Sequence, residues 1–152
     1  MLSVTLGKKA AAAAAMVVIG VAGLAVGLVA QTQDSSTDDR NKGWTIPAEA
    51  AREVNPIAAA PDVLQRGEKI YRGKCQRCHG KEGKGNGPDA DPDKPAGNFT
   101  DRMRVAFNPD GVMFYKVWNG RPIAPKMPSF KSEGLSKDEV WTVIRFVNTL
   151  RK

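Results

Sequence analysis

Cys75-Gln76-Arg77-Cys78-His79 is the stretch on which the fold of this chain depends. Its two thiols stand three positions apart on one helical turn, so each can form a thioether with a vinyl group, and the adjacent imidazole can bind a metal from the same side. This spacing is the covalent attachment signature of a c-type haem. A CxxC pair also occurs in redox disulfides and in zinc sites, so the rest of the chain has to distinguish these possibilities.

The composition of the chain argues against both a redox disulfide and a zinc site. The 152 residues allow one compact domain plus a tail and include only two cysteines and one histidine. A zinc site would need a carboxylate as its fourth ligand, and a redox disulfide of the thioredoxin type would need a βαβ pattern that is missing around Cys75. The single histidine also excludes bis-histidine haem ligation from this chain alone, and Ser-His or two-His catalytic sites.

The first 30 residues predict membrane attachment or export. Lys8 and Lys9 precede residues 10–30, which carry no charge and as a helix would cover roughly 30 Å, about the thickness of the hydrocarbon layer. This length favours an uncleaved transmembrane anchor over a signal peptide, whose apolar core usually has about 7 to 15 residues. The positive-inside rule then delivers Cys75 outside the cytoplasm. We expect a bacterial cytoplasmic membrane protein with a periplasmic domain, or a soluble periplasmic protein if residues 1–30 are cleaved.

The next two segments connect this N terminus to the domain. Residues 31–43 are almost entirely polar and predict a flexible linker. Residues 44–60 predict a strap over the domain surface, with one short helix at Ala48–Val54 that ends before Asn55-Pro56. The remaining residues, 61–152, form the predicted domain.

Two predicted helices bracket this domain. Pro61–Lys74 carries an apolar stripe directly into Cys75, and the last helix begins at a capping box made by Ser136 and Glu139. Gly67 in the middle of the first helix costs about 1 kcal/mol relative to alanine. Its presence suggests that the last helix crosses closely at that point.

A further helix is predicted between start signals at Asn108-Pro109-Asp110 and a stop at Asn119-Gly120. After the CxxCH motif, the glycines between Gly80 and Gly87 lack the preceding strand and the GK[ST] ending of a phosphate loop. We expect them to bring backbone close against the cofactor.

A methionine is the candidate for a second iron ligand. A haem with one histidine needs either a sixth ligand or an open site. Of the five methionines, Met127 alone lies on a proline-bounded loop, whereas Met1 and Met16 belong to the export segment. Met103 and Met113 are the alternatives.

The order of these features resembles a class I c-type cytochrome. The resemblance covers about residues 61–152 and rests on CxxCH after the first helix, the glycine-rich segment, the Met-Pro loop and the C-terminal helix. It implies an all-α fold of three to five helices in which the first and last cross, around one covalent haem c with iron. The cofactor-binding residues that it implies are Cys75, Cys78, His79 and Met127, with the last two as metal ligands.

Two further expectations concern the surroundings of the haem. The resemblance implies that a proline, either Pro88 or Pro95, offers its carbonyl to the other nitrogen of His79. An apolar shell that excludes water is expected from some of the aromatic residues, the candidates being Tyr71, Phe114, Trp118, Phe130 and Trp141.

Iron held by His79 and Met127 has no vacant position, which favours one-electron transfer over catalysis. We expect an electron carrier with redox proteins as partners and no small-molecule substrate. It would act as a membrane-tethered carrier or as a subunit of a membrane redox complex in a respiratory or photosynthetic chain. The alternative is a haem enzyme or gas sensor in which Met127 dissociates. The net charge of +7 falls to +5 without Lys8 and Lys9, and the basic residues that flank the two ligand segments would either steer an acidic redox partner or be ordinary solvated side chains. Nucleic acid is not an expected partner outside the cytoplasm.

Overall fold

A computed structural model describes residues 41–123 and 126–151 of the chain. The predicted anchor or signal at residues 1–30 and most of the predicted linker, 31–43, lie outside the described residues. None of the helices in the described part has the length and apolar character needed to cross a membrane.

The regular elements of the described residues are helices, and the only extended pairing among these residues is an isolated bridge between Arg121 and Met127. The chain therefore has the all-α architecture with three to five helices that its sequence predicts. In chain order, the elements are a 3₁₀ helix at Ala48–Arg52, α1 at Pro61–Lys74, α2 at Gln76–His79, α3 at Arg102–Ala106, α4 at Asp110–Asn119 and α5 at Lys137–Leu150.

Helix α1 packs directly on α5, as Gly67 suggests. A Cβ atom on Gly67 would lie 2.6 Å from the carbonyl oxygen of Thr142 and 2.8 Å from Cβ of Phe146. Only glycine lets the two backbones approach this closely. The main core lies around this crossing and takes in α4, and its buried members are Tyr71, Met113, Val140, Trp141, Val143, Ile144 and Val147.

Helix α5 begins at the predicted capping box. The Ser136 hydroxyl accepts a hydrogen bond from the Glu139 amide (3.2 Å), and the Glu139 carboxylate accepts one from the Ser136 amide (2.8 Å). Two of the amides at the start of the helix are thereby satisfied.

The strap, residues 44–60, is anchored to both α4 and α5. Ile46 and Ala50 form a small buried cluster with Val112 of α4. At the other end, the Asn55 side chain donates to the carbonyl of Trp141 (2.9 Å). The short helix of the strap is a 3₁₀ helix that stops two residues earlier than predicted, because the chain turns extended at Glu53 and delivers Asn55 to this buried contact.

Candidate functional site

All five α helices, the loops that flank α3 and α4, and the start of the strap contribute residues to the lining of a cavity of about 320 Å³. This volume lies in the range of sites that bind small molecules and cofactors. All four residues proposed from the sequence line it, namely Cys75, Cys78, His79 and Met127. Residues 75–79 and 127 are far apart in the sequence, so only the folded chain brings them together.

The two cysteines are presented by the tight turn that forms α2. The amides of Cys78 and His79 both donate to the Cys75 carbonyl, at 3.2 and 3.0 Å, and the two thiols are not joined in a disulfide. Burial, with a smaller contribution from the neighbouring Cys78, raises the pKa of Cys75 to about 12. Redox-active cysteines depend on a lowered pKa, so this environment disfavours the disulfide oxidoreductase interpretation.

The ring of His79 is held from one side so that one nitrogen remains available. Its Nδ1–H donates to the carbonyl oxygen of Gly97 at 3.0 Å, which leaves Nε2 without its proton. Burial lowers the pKa of His79, although the bond to Gly97 acts in the opposite direction. A neutral imidazole with a fixed tautomer is the form that binds a metal.

The expected carbonyl acceptor for His79 was wrong: the Gly97 carbonyl, and not that of Pro88 or Pro95, accepts the hydrogen bond from Nδ1–H. Phe99 positions the loop that contains Gly97, because the Phe99 amide donates to the carbonyl of Gly83 at 2.6 Å. This bond fixes the segment just before Phe99, so that the Gly97 carbonyl faces the imidazole.

Phe99 itself is a site residue that the sequence analysis missed. Its ring stacks on the His79 ring, with centroids 4.4 Å apart and an angle of 18° between the planes. One signal was available, because Phe99 is the only aromatic residue in the polar stretch between Tyr71 and Phe107. An isolated aromatic residue in such a loop usually has a packing partner.

The glycine-rich segment packs against the CxxCH turn, and its expected contact with the cofactor stays a prediction. The Gly87 amide donates to the Cys78 carbonyl (3.0 Å), and a Cβ atom on Gly87 would collide with the Arg77 carbonyl. The Tyr71 hydroxyl donates to the Gly80 carbonyl (2.6 Å) from inside the core. Together these contacts fix the backbone that carries both thiols.

Hydrogen bonds hold the loop that carries Met127, both at this residue and after it. The amide of Arg121 donates to the Met127 carbonyl (2.7 Å), and the Met127 amide donates back to the Arg121 carbonyl (3.2 Å). Beyond Met127, the Ser129 hydroxyl donates to Trp118 (2.8 Å) and the Phe130 amide donates to Val117 (3.1 Å), both at backbone carbonyls.

The two alternative methionines differ in position. Met103 is 66% exposed and does not line the cavity. Met113 does line it, but it is buried in the core and its sulfur contacts the Arg151 guanidinium. Met127 therefore remains the better candidate ligand.

Of the proposed aromatic shell, Tyr71 and Phe130 line the cavity. The other three form a separate stack in the core. The Phe114 ring lies 4.2 Å from that of Trp141 and 5.8 Å from that of Trp118, measured between centroids. These three residues support the helices and do not form the wall of the site.

Charge around the cavity is of one sign. Among the described residues that line it, every charged side chain is basic; these are Lys42, Lys74, Arg104, Lys116, Arg121, Lys126 and Arg151. The guanidinium of Arg151 keeps a buried Nε without a hydrogen-bond partner. Such a lining suits a ligand that carries negative groups.

The sequence matches the family model described as cytochrome c oxidase, cbb3-type, subunit III, over residues 62–147, which is more than half of the chain. The chain belongs to this family of c-type cytochromes. Its cofactor is therefore a covalently bound haem c with iron, and the cytochrome works in haem-based electron transfer. A search of curated proteins found no match to it.

Among solved structures, the cytochrome resembles a chain of the reducing HAO-like protein complex of Kuenenia stuttgartiensis. The two share 30% sequence identity with a TM-score of 0.53, over 64% of the cytochrome and 47% of the other chain. The cytochrome thus spans about half the length of that chain.

The residues present fit a haem c. Two unpaired thiols stand on one turn, one imidazole nitrogen is available, and a thioether side chain lines the same cavity. The two propionates of a haem also match the basic lining. The spacing of the two thiols and the imidazole is the attachment signature of haem c.

Proposed function

We propose that the cytochrome transfers single electrons through a haem c attached to Cys75 and Cys78, with His79 and Met127 as iron ligands. The observation that carries this proposal is that all four side chains line one cavity. When bound, haem c supplies a one-electron couple between ferric and ferrous iron. The proposal accounts for a buried site that has no other histidine and no acidic residue among its described lining residues.

His79 acts as the fixed ligand in this proposal. The hydrogen bond from Nδ1–H to Gly97 sets the tautomer and orients the ring, and it raises the basicity of Nε2. Stacking by Phe99 restricts rotation of the imidazole. Because α2 carries His79 directly after Cys78, one turn of helix positions both covalent attachment and ligation.

Met127 would hold the iron together with His79. Its thioether favours the ferrous state and so raises the reduction potential. The backbone pairing with Arg121 restrains the loop that presents it. With Met127 as a second ligand the iron would have no open position, which would disfavour oxygen chemistry and favour electron exchange with other redox proteins.

Basic residues of the lining would hold the propionates. Lys116 is only 8% exposed, and its Nζ donates to the Asn108 side chain at 2.5 Å. Arg151 lies at the same cavity with its Nε buried. The negative propionates of a haem in this cavity would be attracted to both cations.

We place this domain, residues 61–152, outside the bacterial cytoplasmic membrane. In this arrangement residues 1–30 are the anchor, or a cleaved signal, residues 31–43 the linker and residues 44–60 the strap. The matched family model describes an oxidase subunit, and the similar structure belongs to a multi-protein complex. Both support a role as the cytochrome subunit of a membrane redox complex, or as a tethered carrier that serves one.

Spectroscopy of the holoprotein tests the site. Replacing Cys75 and Cys78 with alanine should abolish haem that survives denaturation on the chain. M127A should keep covalent haem but lose the long-wavelength methionine–iron band of the ferric protein and gain carbon monoxide binding in the ferrous protein. A wild-type protein that binds carbon monoxide readily and lacks this band would instead indicate the haem enzyme or gas sensor.

A further inference from the structure

The strap lies outside residues 62–147, which match the family, and its first residue, Trp44, lines the cavity. Its first residue makes a long-range contact: the indole Nε1–H of Trp44 donates to the carbonyl of Gly120 at 2.7 Å. Two residues before the strap, the Lys42 carbonyl accepts a hydrogen bond from Nε of Arg121 at 2.8 Å. Both bonds end at the start of the loop that carries Met127.

The indole ring adds a second set of contacts with the same region. The Arg121 guanidinium carbon lies 5.3 Å from the centroid of the Trp44 ring, and Nζ of Lys116 lies 4.9 Å from it. Cations at these distances are attracted to the face of an indole. Trp44 therefore binds both the backbone and a side chain of the Gly120–Arg121 pair.

The backbones of Gly120 and Arg121 both contact that of Met127. Arg121 exchanges two backbone hydrogen bonds with Met127, at 2.7 and 3.2 Å. Gly120 has a positive φ of 70°, and a Cβ atom there would lie 2.6 Å from the Met127 carbonyl oxygen. A movement of Gly120 or Arg121 must therefore move Met127 as well.

We propose that Trp44 is a positioning residue for the methionine ligand, and that the strap controls how readily another ligand displaces Met127 from the iron. This inference rests on the proposed function, because it requires Met127 to be the ligand. Anchoring by Ile46 and Ala50 on Val112 holds the strap against α4, so the indole has a rigid base from which to restrain the loop.

The hydrogen bond from Trp44 to Gly120 sets the size of the expected effect. A neutral hydrogen bond of this kind changes an equilibrium by about fivefold. W44F keeps an aromatic ring near the cations but removes the hydrogen-bond donor. The affinity of a ligand that displaces Met127 should therefore increase by about that factor. W44A also removes the ring, so the affinity of the displacing ligand should exceed that of the wild type by roughly 20-fold or more.

The test is a titration of the ferric holoprotein with imidazole, followed by loss of the methionine–iron band, in the wild type, W44F and W44A. S136A serves as the matched control, because it weakens the cap of α5 and lowers global stability without touching the strap or the Met127 loop. The proposal expects tighter imidazole binding in both Trp44 variants and an unchanged affinity in S136A.

Two results would overturn it in different ways. If M127A loses the band but W44F and W44A bind imidazole as the wild type does, or S136A shifts as much as they do, Trp44 does not position the ligand and the proposed function stands. If M127A keeps the band, Met127 is not the ligand, and both the positioning role and the ligand assignment are wrong.

Discussion

The Nδ1–H of His79 donates to the carbonyl oxygen of Gly97 at 3.0 Å, across 18 residues of sequence. No side chain takes part in this contact on the acceptor side, and the site around Gly97 is open, since a Cβ atom there would meet no atom within 4 Å. The position of the carbonyl therefore depends on what holds the loop. Phe99 holds the loop through the hydrogen bond from its amide to the Gly83 carbonyl and through the stacking of its ring on the imidazole.

Replacing Phe99 with alanine should lower the free energy of unfolding of the holoprotein by about 2 kcal/mol, because a half-buried phenylalanine loses part of the 3–5 kcal/mol typical of a core position. F107A is the matched control, since Phe107 is 41% exposed and should cost less. Denaturant unfolding measures both. Equal losses in the two variants would show that Phe99 is ordinary surface packing.

The crossing of α1 and α5 gives a prediction with an internal control. G67A should destabilise the protein by about 2 kcal/mol or more, because its new methyl group would overlap the Thr142 carbonyl. G73A lies on the same helix, where a Cβ atom meets nothing within 4 Å, and should instead stabilise it by up to about 1 kcal/mol. Thermal unfolding of both variants measures these changes. A G67A variant as stable as the wild type would contradict the close approach of the α1 and α5 backbones.

The sequence predicted the elements whose signals are local. The bounds of α1 and α4 and the capping box of α5 each follow from a few neighbouring residues, such as Ser136 and Glu139. One local signal was overlooked. Helix α3 is a single turn, and its start is marked by Asp101, whose side chain accepts a hydrogen bond from the Met103 amide at 3.0 Å.

The contacts between distant segments could not be predicted in the same way. Trp44 and Gly120 are 76 residues apart, and neither position belongs to a periodic pattern. The Gly97 carbonyl has no side chain that identifies it. Such contacts depend on how helices and loops meet in three dimensions, so the sequence could suggest the residues on the CxxCH turn but not what orients them.

The capping box should make stability depend on pH. Hydrogen bonds from the Ser136 backbone and side chain lower the pKa of Glu139 below its ordinary value. A lowered pKa means that the carboxylate stabilises the folded state above the unfolded-state pKa, and that this contribution is lost as the pH falls through the folded value. Urea unfolding should show the wild type more stable than E139A at pH 7, with the difference shrinking towards pH 3. A difference that is constant with pH would contradict this role for the charge.

Lys116 should raise the reduction potential of the haem, because a buried cation at the cavity disfavours the more positive ferric state. K116M should therefore lower the midpoint potential by an amount on the order of tens of mV, where 59 mV corresponds to a tenfold change for one electron. The control is K69M, which removes an exposed lysine from α1 that does not line the cavity. Potentiometric titration of the two variants at moderate salt measures the effect, since salt screens exposed charges far more than buried ones. Equal shifts in K116M and K69M would mean that net charge, and not a cation at the haem, sets the potential.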